Sequence, residues 1–162
     1  MTLEVYRLNS SRYAANNGRG AALHGGRWNP VGLEVIYAAQ SRSLAALEVL
    51  VHYSVLPRNF ICTAILIPQS IVATIKPGSQ LNAGKLPQGP ACHTDEQHYG
   101  ARYIPRYAVF SVPSAIIPQE RIYILNPAHA DFKQIRFLAS EAFRFDPRLK
   151  QTATSGSSPA IG

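Results

Sequence analysis

Residues 44–53, LAALEVLVHY, constrain the fold more than any other stretch of this chain. They contain no glycine or proline and are good helix material, with Ser41 or Ser43 available as an N-cap and Pro57 closing the element. Apolar residues at 44, 45, 46, 47, 49, 50 and 51 leave almost no polar face. Such a helix must be covered on most sides. The cover is at hand in short runs rich in strand formers: residues 3–8 (LEVYRL), 34–38 (EVIYA), 60–67 (FICTAILI), 71–75 (IVATI), 107–112 (YAVFSV) and 121–125 (RIYIL). Several short strands around one central helix predict an α+β domain with a mixed, twisted sheet, not a repeated βαβ sheet.

Between these elements lie residues 9–26, read mostly as loop from their Asn, Ser and Gly, and 76–100, read as structureless and therefore functional or mobile. Residues 132–145 are less regular, a short helix or strand. The terminal QTATSGSSPAIG reads as a disordered tail or an expression remnant, leaving one domain over residues 1–149. No run reaches about 18 apolar residues, and MTLEVYRLNSSRY lacks the apolar stretch of a secretory signal. The expected location is the cytoplasm, without a membrane partner. Two cysteines, Cys62 and Cys92, are too few for a disulfide framework.

Within the apolar helix stands one carboxylate, Glu48. Burying it alone is costly unless a cation or donors meet it. Either it faces solvent beside His52, one turn on, or it sits in a partly dry cleft where it could stabilise a cationic transition state. A second feature is HGGRWNP, residues 24–30. Gly25 and Gly26 permit positive φ or a close approach to a ligand, and Arg27 adds a planar fork of donors suited to phosphate. A surface turn with a salt-bridged Arg is the plain alternative, and the spacing is not that of a P-loop. Tyr37 could stack on a ligand ring or belong to the core. Ser114, after Pro113, could bind an anion or open a turn. Cys92, His93, Asp95, Glu96 and His98 match no zinc spacing, so no metal is expected.

The net charge of +7 favours anionic partners, and scattered bases leave a nucleic-acid-binding module or small ribonuclease as the alternative class.

The strings GRGAALHGGRWNPVGLEVIYAAQSRSLAALEVLVHY, VPSAIIPQERIYILNPAHADF and FRFDPRL resemble the RES domain family, the toxin half of RES-Xre toxin-antitoxin pairs, from residue 6 to about 149. By position in those motifs the family's Arg, Glu and Ser are Arg27, Glu48 and Ser114, with Tyr37 as a fourth site residue. The resemblance implies a fold similar to ADP-ribosyltransferase toxins. It implies consumption of NAD, as substrate and not cofactor, by hydrolysis, phosphorolysis or transfer of ADP-ribose. It also implies an Xre-type antitoxin covering the cleft, a homodimeric toxin in that complex, and nucleic acid met only through the antitoxin. In that reading Arg27 grips a phosphate, Tyr37 stacks on the nicotinamide or its ribose, Glu48 steadies the sugar cation and Ser114 orients the phosphate or nicotinamide end. Arg7, Gly26 and Asn29 are further substrate-binding candidates, and Trp28 packs to hold Arg27. Two departures are Ile122, where many relatives carry Asn, and a poor match across 76–107.

Overall fold

A computed structural model describes residues 1–74 and 94–150. The terminal segment read as a tail lies outside the described residues apart from Lys150, as do Cys92, His93 and residues 75–93. Short runs rich in strand formers, the central ones buried on both faces, make the strands: β1 (Thr2–Ser10), β2 (Ile36–Ala39), β3 (Phe60–Pro68), β4 (Val72–Thr74), β5 (Val109–Pro113), β6 (Arg121–Leu125), β7 (Arg136–Phe137) and β8 (Glu141–Phe143). They form one eight-stranded sheet in the order β4-β5-β6-β2-β1-β3-β7, with β8 also pairing β3. Every pairing is antiparallel except β4 with β5. The longest ladder runs from Thr2 opposite Pro68 to Ser10 opposite Phe60.

Alternate side chains feed two cores. Phe110, Val112, Ile122, Ile124 and Ala39 pack to one side with Leu44 and Trp28. Val109, Tyr123, Leu125, Ile36 and Ala38 pack to the other with Ile65 and Ile67. The first of these cores carries the site.

The predicted central helix is α2 (Arg42–Leu50). Between the two candidate caps the structure selects Ser41, whose side chain accepts from the Leu44 N–H at 3.1 Å. The helix ends at Leu50, earlier than residue 53, and its cover is less complete than the composition suggests. Leu44, Ala45 and Leu50 are buried, whereas Leu47 and Val51 are exposed. One face therefore packs on the sheet, each buried leucine contributing roughly 1.5–3 kcal/mol, and the other meets solvent.

Two helices correct the loop assignments. Residues 9–26 contain α1 (Arg19–His24), a short helix with no buried residue, so no apolar periodicity announced it. Within the segment read as structureless to residue 100 lies α3 (Thr94–Tyr103), polar over most of its length, with Asp95 and Glu96 in its first turn. Residues 130–145 hold a 3-10 turn, Ala130–Gln134, followed by β7 and β8. Among the described residues no helix is long and apolar enough to cross a membrane.

Candidate functional site

The loop after α1 is built around a buried amide. Asn29 is 0% exposed, and its Nδ2 donates to the carbonyls of Ala21 at 2.8 Å and Leu33 at 3.0 Å. Its Oδ1 accepts from the Tyr37 hydroxyl at 2.6 Å, while the Tyr37 oxygen accepts from the Trp28 N–H at 3.1 Å. Burial raises the Tyr37 phenol above its ordinary range, which keeps it a donor to Asn29. The glycine pair divides its work. Gly25 adopts φ 70°, and a Cβ on Gly26 would lie 2.7 Å from Asn29 Oδ1 and 2.8 Å from the Tyr37 oxygen. The loop thus closes on Tyr37 with its polar groups already paired, and Trp28, 7% exposed, is part of the core beneath it.

Arg7 comes from β1. One nitrogen, Nη2, donates to the Asn17 carbonyl at 2.9 Å, and Nη1 is buried with no hydrogen-bond partner among the described residues. Desolvation pushes this guanidinium down to about 10, the mark of a cation that burial disfavours and no carboxylate compensates. An orphaned buried donor of this kind costs about 1–3 kcal/mol.

Glu48, half-buried on α2, does not rely on His52. Its Oε1 accepts from the Ser114 hydroxyl at 2.8 Å. Ser114 is 3% exposed and in turn accepts from the N–H groups of Ile116 and Ile117, each at 3.0 Å. Two backbone dipoles therefore polarise the hydroxyl toward the carboxylate, which fixes the rotamer of Glu48.

A cavity of about 750 Å³ joins these groups, within the usual size of ligand sites. Arg7, Gly26, Arg27, Tyr37 and Glu48 all line it. Asn29 and Ser114 do not; they stand behind the wall, one bonded to Tyr37 and the other to Glu48. Ile122 contributes apolar wall. Arg27 forms an ion pair with Glu96 of α3 at 3.4 Å, a partner that sequence reasoning did not connect with it. Among the described residues no group of three or more His, Cys, Asp or Glu could hold a metal ion.

Fold and cavity together define a class: a mixed α+β sheet whose cleft sets two arginines, Arg7 and Arg27, and a carboxylate fixed by Ser114 around one cavity. The chain belongs to the RES domain family, whose model matches residues 4–146. It is 35% identical over 165 residues to a protein described as a Prs ADP-ribosylating toxin from Sphingobium sp. (strain YBL2), covering 94% of this chain and 100% of that one. A protein named Toxin Res from Photorhabdus laumondii is 37% identical over 155 residues, covering 90% and 96%. Among solved structures, a chain of the M. tuberculosis MbcT-MbcA toxin-antitoxin complex shares the fold, with a TM-score of 0.67 at 20% identity, covering 92% of this chain and 87% of that one.

Proposed function

We propose that this chain is the toxin of a toxin-antitoxin pair and cleaves NAD at the bond between nicotinamide and ribose. The observation that carries the reading is the single cavity in which Arg7, Arg27, Tyr37 and Glu48 meet. Its names among relatives, ADP-ribosylating toxin and Toxin Res, support the same class.

NAD brings a pyrophosphate and a positively charged nicotinamide ring. Arg7, with its unpaired buried nitrogen, and Arg27 bind the pyrophosphate. The hydroxyl of Tyr37 is already engaged, so its ring is what it offers, and it flanks the nicotinamide end. The C–N bond breaks with both electrons passing to the ring nitrogen. Nicotinamide leaves neutral, needing no proton, and the positive charge moves to the sugar carbon. Glu48 faces that developing cation, as carboxylates do in glycoside cleavage. Ser114 is a positioning residue for Glu48, and Asn29 and Gly26 position Tyr37 and the Arg27 loop. Water, phosphate or a protein side chain then supplies the electron pair to the sugar carbon and loses its proton. No metal takes part, and NAD is consumed.

The proposed setting is the cytoplasm, with a homodimeric toxin neutralised by an Xre-type antitoxin seated over the cleft. The antitoxin partner is supported by the toxin-antitoxin complex that shares this fold.

Purified protein mixed with NAD, with and without phosphate and with Prs as a candidate acceptor, should release nicotinamide. The second product, free ADP-ribose, its phosphorylated sugar or modified protein, identifies the acceptor. No release under any of these conditions rejects the proposal, and tight, salt-sensitive RNA binding in its place would favour a nucleic-acid module.

A further inference from the structure

We infer that α3 is the holder of the arginine loop and that Glu96 is a positioning residue for Arg27. The inference rests on the reading of Arg27 as a pyrophosphate ligand and adds residues which that reading does not use. Four residues of α3, Glu96, Gln97, Tyr99 and Gly100, meet the loop at separate points. Glu96 Oε1 meets Arg27 Nη1 at 3.4 Å. Gln97 Nε2 donates to the Gly26 carbonyl at 2.9 Å. Tyr99 packs edge-on against the Trp28 ring, with centroids 5.9 Å apart. One residue further, Gly100 lies so close that an added Cβ would overlap the Trp28 carbonyl. Loop residues 26, 27 and 28 are each held by a different group on one helix.

The placement of Glu96 decides its role. Arg27 lines the cavity and Glu96 does not. The carboxylate approaches one terminal nitrogen from outside the wall, and the Glu96 side chain is 18% exposed against 31% for Arg27. A single contact through Nη1 leaves the rest of the guanidinium fork to the cavity while removing the rotamer freedom that a long side chain otherwise loses on binding. A carboxylate inside the wall would compete with the substrate's phosphates. From behind, it steers the arginine toward them.

The test is steady-state NAD cleavage by Glu96→Ala, Glu96→Gln and Gln97→Ala, with Arg27→Ala alone and combined with Glu96→Ala. Thermal melting confirms that each variant is folded. Glu96→Ala should raise KM for NAD roughly tenfold with kcat within about threefold, the split expected when binding geometry and not chemistry is lost. Glu96→Gln keeps an acceptor oxygen and should recover most of the loss. In the Arg27→Ala background, Glu96→Ala should add nothing further, because it acts through that arginine. An unchanged KM for Glu96→Ala beside a raised KM for Arg27→Ala overturns the inference and leaves the proposed function standing. Additive losses, or a KM that falls when Glu96 is removed, overturn it as well. Wild-type protein that neither binds nor cleaves NAD rejects the functional reading, and this inference with it.

Discussion

Replacing Glu48 by Gln changes almost nothing but charge. The side chain keeps its length, and its carbonyl oxygen can still accept the Ser114 hydroxyl that now lies 2.8 Å from Oε1. The N–H groups of Ile116 and Ile117 keep their acceptor in Ser114. The variant should therefore fold and melt like wild type. What disappears is the attraction between a fixed carboxylate and the sugar cation. At about 4 Å and an effective dielectric of about 20 that attraction is about 4 kcal/mol, a ceiling of about a thousandfold in kcat. The substrate already carries a positive charge on its ring nitrogen, so part of the attraction exists before the bond breaks and does not count. The expected loss in kcat lies between roughly thirtyfold and a thousandfold, with little change in KM. Nicotinamide release under saturating NAD measures it. A folded Glu48→Gln protein that retains more than a fifth of wild-type kcat would remove Glu48 from the chemistry.

Ser114→Ala should lower kcat less than Glu48→Gln, by roughly tenfold to a hundredfold, since it removes a charge-assisted hydrogen bond worth about 1.5–3 kcal/mol; equal activity in the two variants would contradict a positioning role. Arg7→Met should weaken NAD binding at least tenfold with little change in melting temperature, because relief of the orphaned Nη1 is offset by loss of the Nη2 bond to the Asn17 carbonyl; calorimetry and thermal melting read the two effects separately. Gly26→Ala pushes a methyl against Asn29 Oδ1 and the Tyr37 oxygen; it should cost roughly 1–3 kcal/mol in unfolding free energy and at least tenfold in NAD affinity, whereas unchanged melting would show that the loop yields there.

Strands β1 to β6 were legible because burial on both faces of the sheet writes itself as dense apolar runs such as Phe60–Pro68, and α2 because a cap precedes an uninterrupted helical stretch, whereas β7 and β8, two and three residues long, are too short to tell from a helix or turn. The two missed helices have no such signature. α1 has no fully buried residue, touching the core only through half-buried Ala21, and α3 contains Gly100, which reads as a breaker until Trp28 is found to leave no room for a side chain. Arg27 and Glu48 each stood out alone, one after paired glycines and one inside an apolar helix. Their meeting in one cavity is a property of the folded chain. Ser114 and Glu48 are 66 residues apart, and nothing in spacing or composition joins them. The family motifs singled out both residues, and the structure supplied the hydrogen bond between them. Glu96 was visible only as part of an unconvincing metal cluster, because its actual partner, Arg27, is 69 residues away.

A structure of the Glu48→Gln protein with uncleaved NAD tests the central claim most directly. The pyrophosphate should lie between the guanidinium groups of Arg7 and Arg27, the nicotinamide should lie beside the Tyr37 ring, and the ribose carbon of the scissile bond should sit within about 4 Å of the side chain at position 48. NAD bound outside this cavity, or bound with its nicotinamide ribose remote from residue 48, would contradict the account.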